Sequence, residues 1–275
     1  MATKAYLQPQ SLDEALRLVA EHPGSLVIAG GTLALPLINK GVSQPEKVIG
    51  LRRAGLGYVR RENGAVKIGA TTTLTQVRSA AGIPLLAEAA ANVGAWQVQN
   101  MGTAAGNLFA PPPAGDFAVA LLALDARVVI GSHSRGRRAV PLADFFTGFM
   151  MNCLEPDELV IELQVPAPQG KTVLLKHGRL FTNTPSIVAV AAHIVADGGK
   201  VTDARIAMNA VGPHPMLAKN AQAALGRAAL TGAAIDAAAQ AAAAECDPFT
   251  DPIATSDYRR KMAGVFVKRA LAQLA

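Results

Sequence analysis

Residues 98–130 read VQNMGTAAGNLFAPPPAGDFAVALLALDARVVI, and this stretch largely decides how the chain folds. A loop of small residues leads through three prolines to Asp116, an apolar segment and a run rich in β-branched residues. We predict a helix at residues 117–124 with Asp116 as its N-cap, and a strand at residues 127–130. The loop is one of two small-residue turns on which the interpretation of the whole chain depends.

The other turn lies earlier, where residues 29–32 read AGGT after the apolar run LVI. Residues 33–40 then predict a short helix with Thr32 as its cap. Small residues let a backbone approach a ligand closely, and N–H groups at a helix N-terminus favour anions. Residues 103–107, TAAGN, supply a second set of such groups. Each turn alone is also typical of an ordinary strand-to-helix connection, but the two together predict a cradle for the diphosphate of a dinucleotide.

Composition excludes several classes of protein. The 275 residues are 51% hydrophobic with only 4% aromatics, which predicts a sizeable core and two domains or subdomains. No apolar run reaches about 18 residues, so we expect no membrane span. The N-terminus lacks the pattern of a secretion signal. The two isolated cysteines suit a reducing compartment, so we expect a cytoplasmic protein. The net charge is +6, but the basic residues are scattered, so we expect no nucleic-acid partner.

Residue patterns for catalysis by side chains are missing from the sequence. The five histidines do not have the spacing of metal ligands, and there is no GxSxG motif. The two cysteines are too few to hold an iron–sulfur cluster. The sequence therefore predicts no catalytic residues and no metal site, and it favours an electron carrier whose chemistry resides in a bound cofactor.

The second half of the chain follows a proline-rich linker near residue 168. Alternation predicts strands at residues 172–178, 187–196 and 201–211, with a DGG turn joining the last two. Three helices are expected after these strands, at residues 216–225, 233–244 and 255–274, and one before the linker, at residues 141–150.

Several motifs make the sequence resemble a known family. They include VIAGGTLALPLINKG, KIGATTTL, VQNMGTAAGNLFAPPPAGDFAVALLALDA, LLKHGR, VGPHP and SDYRRKMAGVFVKRAL. In this order along nearly the whole chain, they resemble the medium, FAD-binding subunit of molybdenum hydroxylases, the family of carbon monoxide and xanthine dehydrogenases. The resemblance implies an α+β fold: a two-part FAD-binding domain of the PCMH (vanillyl-alcohol-oxidase-like) type, then a three-stranded antiparallel sheet with a helical bundle.

The resemblance also implies domain limits and site residues. The FAD-binding domain would span residues 1–166, with subdomains of about 1–57 and 58–166, and the C-terminal domain residues 170–275. The diphosphate loops fall on residues 29–33 and 103–107, followed by a ribose or adenine carboxylate, a backbone contact to the flavin region and a flavin-side lysine. The implied cofactor-binding residues are Ala29, Gly30, Gly31, Thr32, Leu33, Thr103, Ala104, Ala105, Gly106, Asn107, Asp116, Val160 and Lys176.

Three departures from the family pattern bear on this site. The second loop commonly reads TIGGN, so Ala105 replaces a glycine, and either its φ is ordinary or the loop is shifted. Leu33 stands in a turn that is usually more polar. Residues 180–185, LFTNTP, lack the acidic residue that many relatives carry near the flavin. A missing carboxylate would change the local electrostatic potential and with it the identity of the electron acceptor.

The function implied by the resemblance is electron transfer through one non-covalent FAD. Electrons would come from a small [2Fe-2S] subunit and pass to NAD+, a quinone or oxygen. Substrate chemistry would occur on a large molybdopterin-binding subunit, within a dimer of heterotrimers. Two alternatives stay open: a self-sufficient flavin oxidoreductase of the same fold, and a scaffold subunit without flavin.

Overall fold

The computed structural model describes residues 3–112, 115–180, 183–226 and 228–275. Helices and strands are mixed along these ranges, and the strands form four sheets. The predicted α+β class is therefore confirmed. No helix in the described ranges is long and apolar enough to cross a membrane.

A small parallel sheet begins the chain. Its elements are β1 (Ala5–Leu7), α1 (Leu12–Glu21), β2 (Leu26–Ile28), α2 (Ala34–Asn39) and β3 (Lys47–Gly50). The strands lie in the order β1-β3-β2. Helix α1 packs through one apolar face and is capped by Ser11, whose hydroxyl accepts the N–H of Glu14 at 3.1 Å. By contrast, α2 has no buried residue, so it lies on the surface beside the first small-residue turn.

A five-stranded antiparallel sheet follows the small parallel sheet along the chain. The strands of this region are β4 (Val59–Glu62), β5 (Ala65–Gly69), β6 (Arg127–Ser132), β7 (Gly136–Pro141), β8 (Phe146–Gly148), β9 (Met151–Asn152) and β10 (Glu158–Pro166). The sheet order is β4-β5-β10-β6-β7, and β8 and β9 form a separate hairpin. Asn63 and Gly64 join β4 to β5 with φ of 52° and 74°, the positive angles that a two-residue hairpin turn needs.

The helices of this region carry the chain between its strands. They are α3 (Leu74–Ala80), α4 (Pro84–Ala91), α5 (Trp96–Met101) and α6 (Asp116–Ala123). Every residue of α6 is buried, because the helix is apolar on all sides and packs both on α4 and on the sheet that follows. Helix α6 thus lies between the two halves of the molecule.

The second half is an antiparallel sheet covered by helices. Its elements are β11 (Lys171–Gly178), β12 (Ser186–Asp197), β13 (Lys200–Asn209), β14 (Met216–Leu217), α7 (Lys219–Leu225), α8 (Gly232–Glu245) and α9 (Ser256–Leu274). The three predicted strands are confirmed, and the two-residue β14 extends the sheet at its edge. Gly198 and Gly199 form the predicted turn with φ of 55° and 76°.

Three local predictions were wrong. Residues 141–150 form one 3₁₀ turn and half of the β8–β9 hairpin instead of a helix. Residues 216–217 are strand, so the helix predicted at 216–225 begins only at Lys219. Helix α2 begins at Ala34, and its N-cap is Leu33, so Thr32 does not cap it. In the first two cases the segment pairs with another strand, which helical propensity does not register.

Candidate functional site

The first loop, residues 29–33, connects β2 to α2 and has backbone N–H groups without partners. Within the described residues, none of the N–H groups of residues 30–33 donates a hydrogen bond to the protein. Gly31 has a φ of 75°, a conformation that favours glycine. Consecutive N–H groups without partners, in a turn that changes the hand of the backbone, form a concave site suited to an anion.

The two small-residue loops touch each other through glycine. A methyl group on Gly30 would overlap the carbonyl oxygen of Met101 and lie 3.0 Å from the Cα of Gly102. A methyl group on Gly102 would in turn lie 3.4 Å from the Thr32 hydroxyl oxygen. The chain entering the second loop therefore packs directly on the first, and glycine is required at Gly30 for this contact.

The second loop, residues 103–107, uses most of its backbone N–H groups within the protein. Ala104 N donates to Thr72 O at 2.9 Å, and Asn107 N donates to Thr103 O at 3.0 Å. Gly106 N donates to the Thr103 hydroxyl at 3.1 Å. Thr103 therefore stabilises the loop by accepting two of its N–H groups. As a result, the backbone of this loop has fewer N–H groups available to an anion than the first loop has.

Asn107 is the member of the second loop that has an unmet hydrogen-bonding group. Its side chain is buried, and its Oδ1 atom has no hydrogen-bond partner within the described part of the chain. A buried polar atom without a partner costs about 1–3 kcal/mol, so such an atom needs an explanation. An O–H or N–H donor of a ligand bound beside the loop would supply one, because an amide oxygen accepts hydrogen bonds.

Ala105 fits the loop without strain. Its φ of −71° and ψ of −36° are right-handed, so an alanine is as acceptable there as a glycine. The φ of Ala105 is therefore ordinary, which is the first of the two alternatives for this departure from the family pattern. Leu33, the other departure, is exposed at the N-cap of α2.

Asp116 and Lys176 form a buried ion pair between the two halves of the molecule. Lys176 Nζ lies 2.8 Å from Asp116 Oδ2 and also donates to Asn92 O at 3.0 Å. Asp116 Oδ1 accepts from the Ser186 hydroxyl at 2.7 Å and from Asn209 Nδ2 at 3.1 Å. Asp116 is the first residue of α6, and the N-cap of this helix is Gly115. The predicted role of Asp116 as the helix cap was therefore wrong. Its side chain binds partners in the C-terminal sheet instead.

Val160 lies in β10 beside a β-bulge. It pairs with Ile130, whereas Glu162 pairs with Val129, so Ile161 is the extra residue. Ile161 O accepts the N–H of Ala70, and Thr72, two residues further along the chain, accepts the N–H of Ala104 through its carbonyl oxygen. A bulge interrupts the regular hydrogen bonding of a sheet, so backbone groups at this position can turn toward a ligand.

Sequence reasoning missed one feature of this region, a cavity of about 260 Å³ between α4 and α5. The sequence did not predict α5, which begins at Trp96 after a glycine-containing turn. Gln99 closes that turn from inside, because its Nε2 donates to Ala91 O at 2.8 Å. The single tryptophan of the chain, partly apolar and partly polar, was the signal that could have drawn attention to it.

The residues present fit a dinucleotide of the FAD type. Unpartnered N–H groups in the first loop, the unpartnered Oδ1 of Asn107, and the glycine contact that joins the loops all occur in one region. A buried lysine–aspartate pair and a β-bulge complete the predicted set.

Comparison with known proteins also indicates an FAD-binding protein. The family described as FAD binding domain in molybdopterin dehydrogenase matches residues 2–168, and the CO dehydrogenase flavoprotein C-terminal domain matches residues 175–274. The carbon monoxide dehydrogenase medium chain of Hydrogenophaga pseudoflava is 34% identical, over 97% of this chain and 95% of that one. The caffeine dehydrogenase subunit beta of a Pseudomonas species is 31% identical, over 98% and 93%.

A solved structure extends the likeness to the fold. Carbon monoxide dehydrogenase from Hydrogenophaga pseudoflava matches with a TM-score of 0.93 and 36% identity, covering 99% of this chain and 97% of that chain. The predicted FAD-binding fold with a flavoprotein C-terminal region is therefore confirmed. The relatives are dehydrogenase subunits, so the chain is an oxidoreductase component. It belongs to the family of FAD-binding medium chains of molybdopterin dehydrogenases, and its cofactor is FAD.

Proposed function

We propose that the chain holds one FAD non-covalently and passes electrons from an iron–sulfur partner chain to an external acceptor. The observation that carries the proposal is the unpartnered N–H groups of residues 30–33, in a loop that touches the loop of Asn107. FAD supplies the electron and hydride transfer, so the protein has to bind, orient and shield it.

The predicted site residues divide into four groups in this proposal. Residues 29–33 surround the diphosphate, with N–H groups that meet its charge without a Lys or Arg side chain. Within residues 103–107, Thr103 fixes the loop and the Asn107 amide binds the cofactor. Asp116 and Lys176 form an ion pair beside the flavin half of the cofactor. The backbone at Val160 contacts the flavin ring region. The limits 1–166 and 170–275 for the two domains are part of the same proposal.

The partners belong to the proposal as well. The relatives are called a medium chain and a subunit beta, which supports a multi-subunit enzyme. We assign the electron donor to a small [2Fe-2S] subunit and the substrate chemistry to a large molybdopterin-binding subunit, in a dimer of heterotrimers in the cytoplasm. The substrate of the whole enzyme is then bound on another chain.

A titration of the full-length chain with FAD tests the cofactor role. The chain is purified under anaerobic conditions, and binding is followed by the flavin absorption spectrum. We expect one FAD per chain that gel filtration does not remove. A chain that folds but takes up no FAD contradicts the proposal and supports a scaffold without flavin.

A second experiment separates a carrier from a self-sufficient oxidoreductase. The FAD-loaded chain alone is mixed with carbon monoxide, aldehydes and purines, and flavin reduction is recorded. We expect no reduction until the two partner chains are added. Reduction of the flavin by one of these substrates in the isolated chain contradicts the carrier role.

A further inference from the structure

Arg259 is a charged residue with no exposed surface. It is the fourth residue of α9, and its exposure is 0%. Burying a guanidinium is costly because its charge leaves water, and an apolar side chain of similar size in such a place is often as stable or more so. The charge also lies near the positive end of the helix dipole, which disfavours a cation. Stability alone therefore does not explain an arginine at this position.

The guanidinium group of Arg259 binds the backbone at two strand ends of the C-terminal sheet. Its Nη1 donates to Ser186 O and Ile187 O, both at 3.0 Å, where β12 begins. The same nitrogen also donates to Ala210 O at 3.3 Å, directly after the end of β13. Its Nη2 donates to Asp251 Oδ1 at 2.8 Å, which supplies the counter-charge. Because a lysine has no planar fork of donors, it cannot bind these four oxygen atoms at once.

The two strand ends that Arg259 binds carry two donors to a single carboxylate oxygen. The Ser186 hydroxyl donates to Asp116 Oδ1 at 2.7 Å, and Asn209 Nδ2 at the end of β13 donates to the same atom at 3.1 Å. Both donor residues are 0% exposed. The other oxygen, Asp116 Oδ2, lies 2.8 Å from Lys176 Nζ. A shift of either strand end therefore changes the orientation of the carboxylate that faces Lys176.

Ala210 shows that the end of β13 is held in an unfavourable conformation. Its φ is 66°, in the left-handed region that is costly for a residue with a Cβ atom. The residue is 0% exposed, and its carbonyl oxygen accepts from Arg259. Such a conformation persists only where surrounding contacts impose it. Arg259 supplies one of these contacts, next to the residue whose side chain binds Asp116.

We propose that Arg259 is a positioning residue for the Asp116–Lys176 pair and that it acts through Ser186 and Asn209. The inference rests on the proposed function, which puts this pair beside the flavin half of the cofactor. The C-terminal helix α9 then sets the orientation of a lysine at the flavin site through a chain of buried hydrogen bonds.

Hydrogen exchange at Lys176 Nζ tests the inference in the full-length, FAD-free chain. Two-dimensional 1H–15N spectra detect the ammonium group of a buried, paired lysine, and the signal of Lys176 is the one that Lys176→Arg removes. Arg259→Lys keeps the charge and loses the fork, so the donors to the Asp116 carboxylate are no longer fixed. We expect exchange at Lys176 Nζ to become about 10-fold faster, the effect of one hydrogen bond to a charged group on a local opening.

A matched control and a second variant separate this role from a general effect on the fold. Arg269→Lys makes the same substitution at an exposed position of the same helix, and we expect it to leave the exchange unchanged. Ser186→Ala removes the hydroxyl that donates to Asp116 and keeps the carbonyl that Arg259 binds. Because Arg259 acts partly through that hydroxyl, we expect Arg259→Lys to have a smaller effect in the Ser186→Ala background.

The flavin itself keeps the inference apart from the proposed function. The midpoint potential of bound FAD is measured in the parent, Arg259→Lys and Arg269→Lys chains. A lysine cation beside the flavin stabilises the negative charge gained on reduction, so we expect the potential to fall in Arg259→Lys alone. A chain that takes up no FAD contradicts the proposed function, whereas exchange at Lys176 still tests the positioning role. Faster exchange with an unchanged potential supports the positioning role and contradicts the place of the pair beside the flavin.

Two outcomes overturn the inference. Exchange at Lys176 like that of the parent in Arg259→Lys shows that the pair keeps its geometry without the guanidinium. An effect of Arg259→Lys that is equal in the parent and Ser186→Ala backgrounds shows that Arg259 does not act through Ser186. If Arg259→Lys does not fold, Asp251→Asn decides, because it keeps Arg259 and removes its counter-charge. We expect faster exchange at Lys176 in that variant, and exchange like that of the parent overturns the inference.

Discussion

The two loops at the site are similar in sequence and opposite in hydrogen bonding. Residues 29–33 and 103–107 are both rich in glycine, alanine and threonine, and end in Leu33 and Asn107. The first follows strand β2, and the second follows helix α5 and begins with the bridge residue Thr103. Among the residues that the structure describes, the N–H groups of residues 30–33 have no protein partner, whereas the second loop uses those of Ala104, Gly106 and Asn107 internally. The comparison teaches that a small-residue turn becomes an anion site only where its N–H groups stay free.

The largest effect is expected at the ion pair that follows the second loop. Lys176→Met leaves the Asp116 carboxylate buried without its cation, so the free energy of unfolding should fall by about 3–5 kcal/mol. Urea unfolding of the FAD-free chain measures it. The matched control Lys4→Met removes a lysine from an exposed pair with Glu46 and should change stability little. Equal losses in both variants contradict the role of the buried pair.

The first loop should be the more sensitive to an added methyl group. Gly30→Ala overlaps Met101 O and displaces the free N–H groups, so FAD affinity should fall by about 100-fold, the value of two charge-assisted hydrogen bonds. Equilibrium titration with FAD measures it, and circular dichroism checks the fold. Gly232→Ala, at a glycine with open space around it, should bind FAD like the parent. Unchanged affinity in Gly30→Ala removes the basis for the first loop as the diphosphate site.

The second loop should act through one side chain. Asn107→Asp replaces a buried amide with a carboxylate facing an anion, so FAD affinity should fall by about 10-fold. Asn100→Asp adds the same charge on α5, where the oxygen accepts from the Thr75 hydroxyl, and should have little effect. Titration of both variants at two salt concentrations compares them. A larger loss in Asn100→Asp than in Asn107→Asp contradicts the assignment.

The smallest effect is expected at Ala105. Because its φ is right-handed, Ala105→Gly should leave FAD affinity within about twofold and lower stability by about 0.5–1 kcal/mol through added backbone freedom. Titration and urea unfolding of the same sample give both numbers. A clear gain in FAD affinity would mean that the bound loop takes a conformation that only glycine allows.

Much of the architecture could be predicted from local patterns. The hairpin at Asn63 and Gly64 and the three long strands of the second half follow from turn residues and alternation. The full burial of α6 follows from its lack of polar residues after Asp116. These features depend on neighbours in the sequence, which is why a single sequence indicates them.

The details of the site depend on contacts between distant residues. Asp116 has the composition of a helix cap, but Ser186 and Asn209, some 70 and 93 positions away, bind its carboxylate instead. Lys176 resembles an exposed strand-end lysine, yet it is almost fully buried against α4 and α6. No local pattern shows which loop N–H groups find partners, so the difference between the two loops emerged only from the structure.

Amide chemical shifts measure the central claim, that the free N–H groups of residues 30–33 bind the FAD diphosphate. Two-dimensional 1H–15N spectra of the full-length chain are recorded with FAD, with ADP, and with riboflavin, which lacks the diphosphate. The account predicts large downfield shifts at Gly30, Gly31, Thr32 and Leu33 with FAD and ADP, small ones at Ala104 and Gly106, and none in the first loop with riboflavin. Tight FAD binding with no shift at residues 30–33 would contradict it.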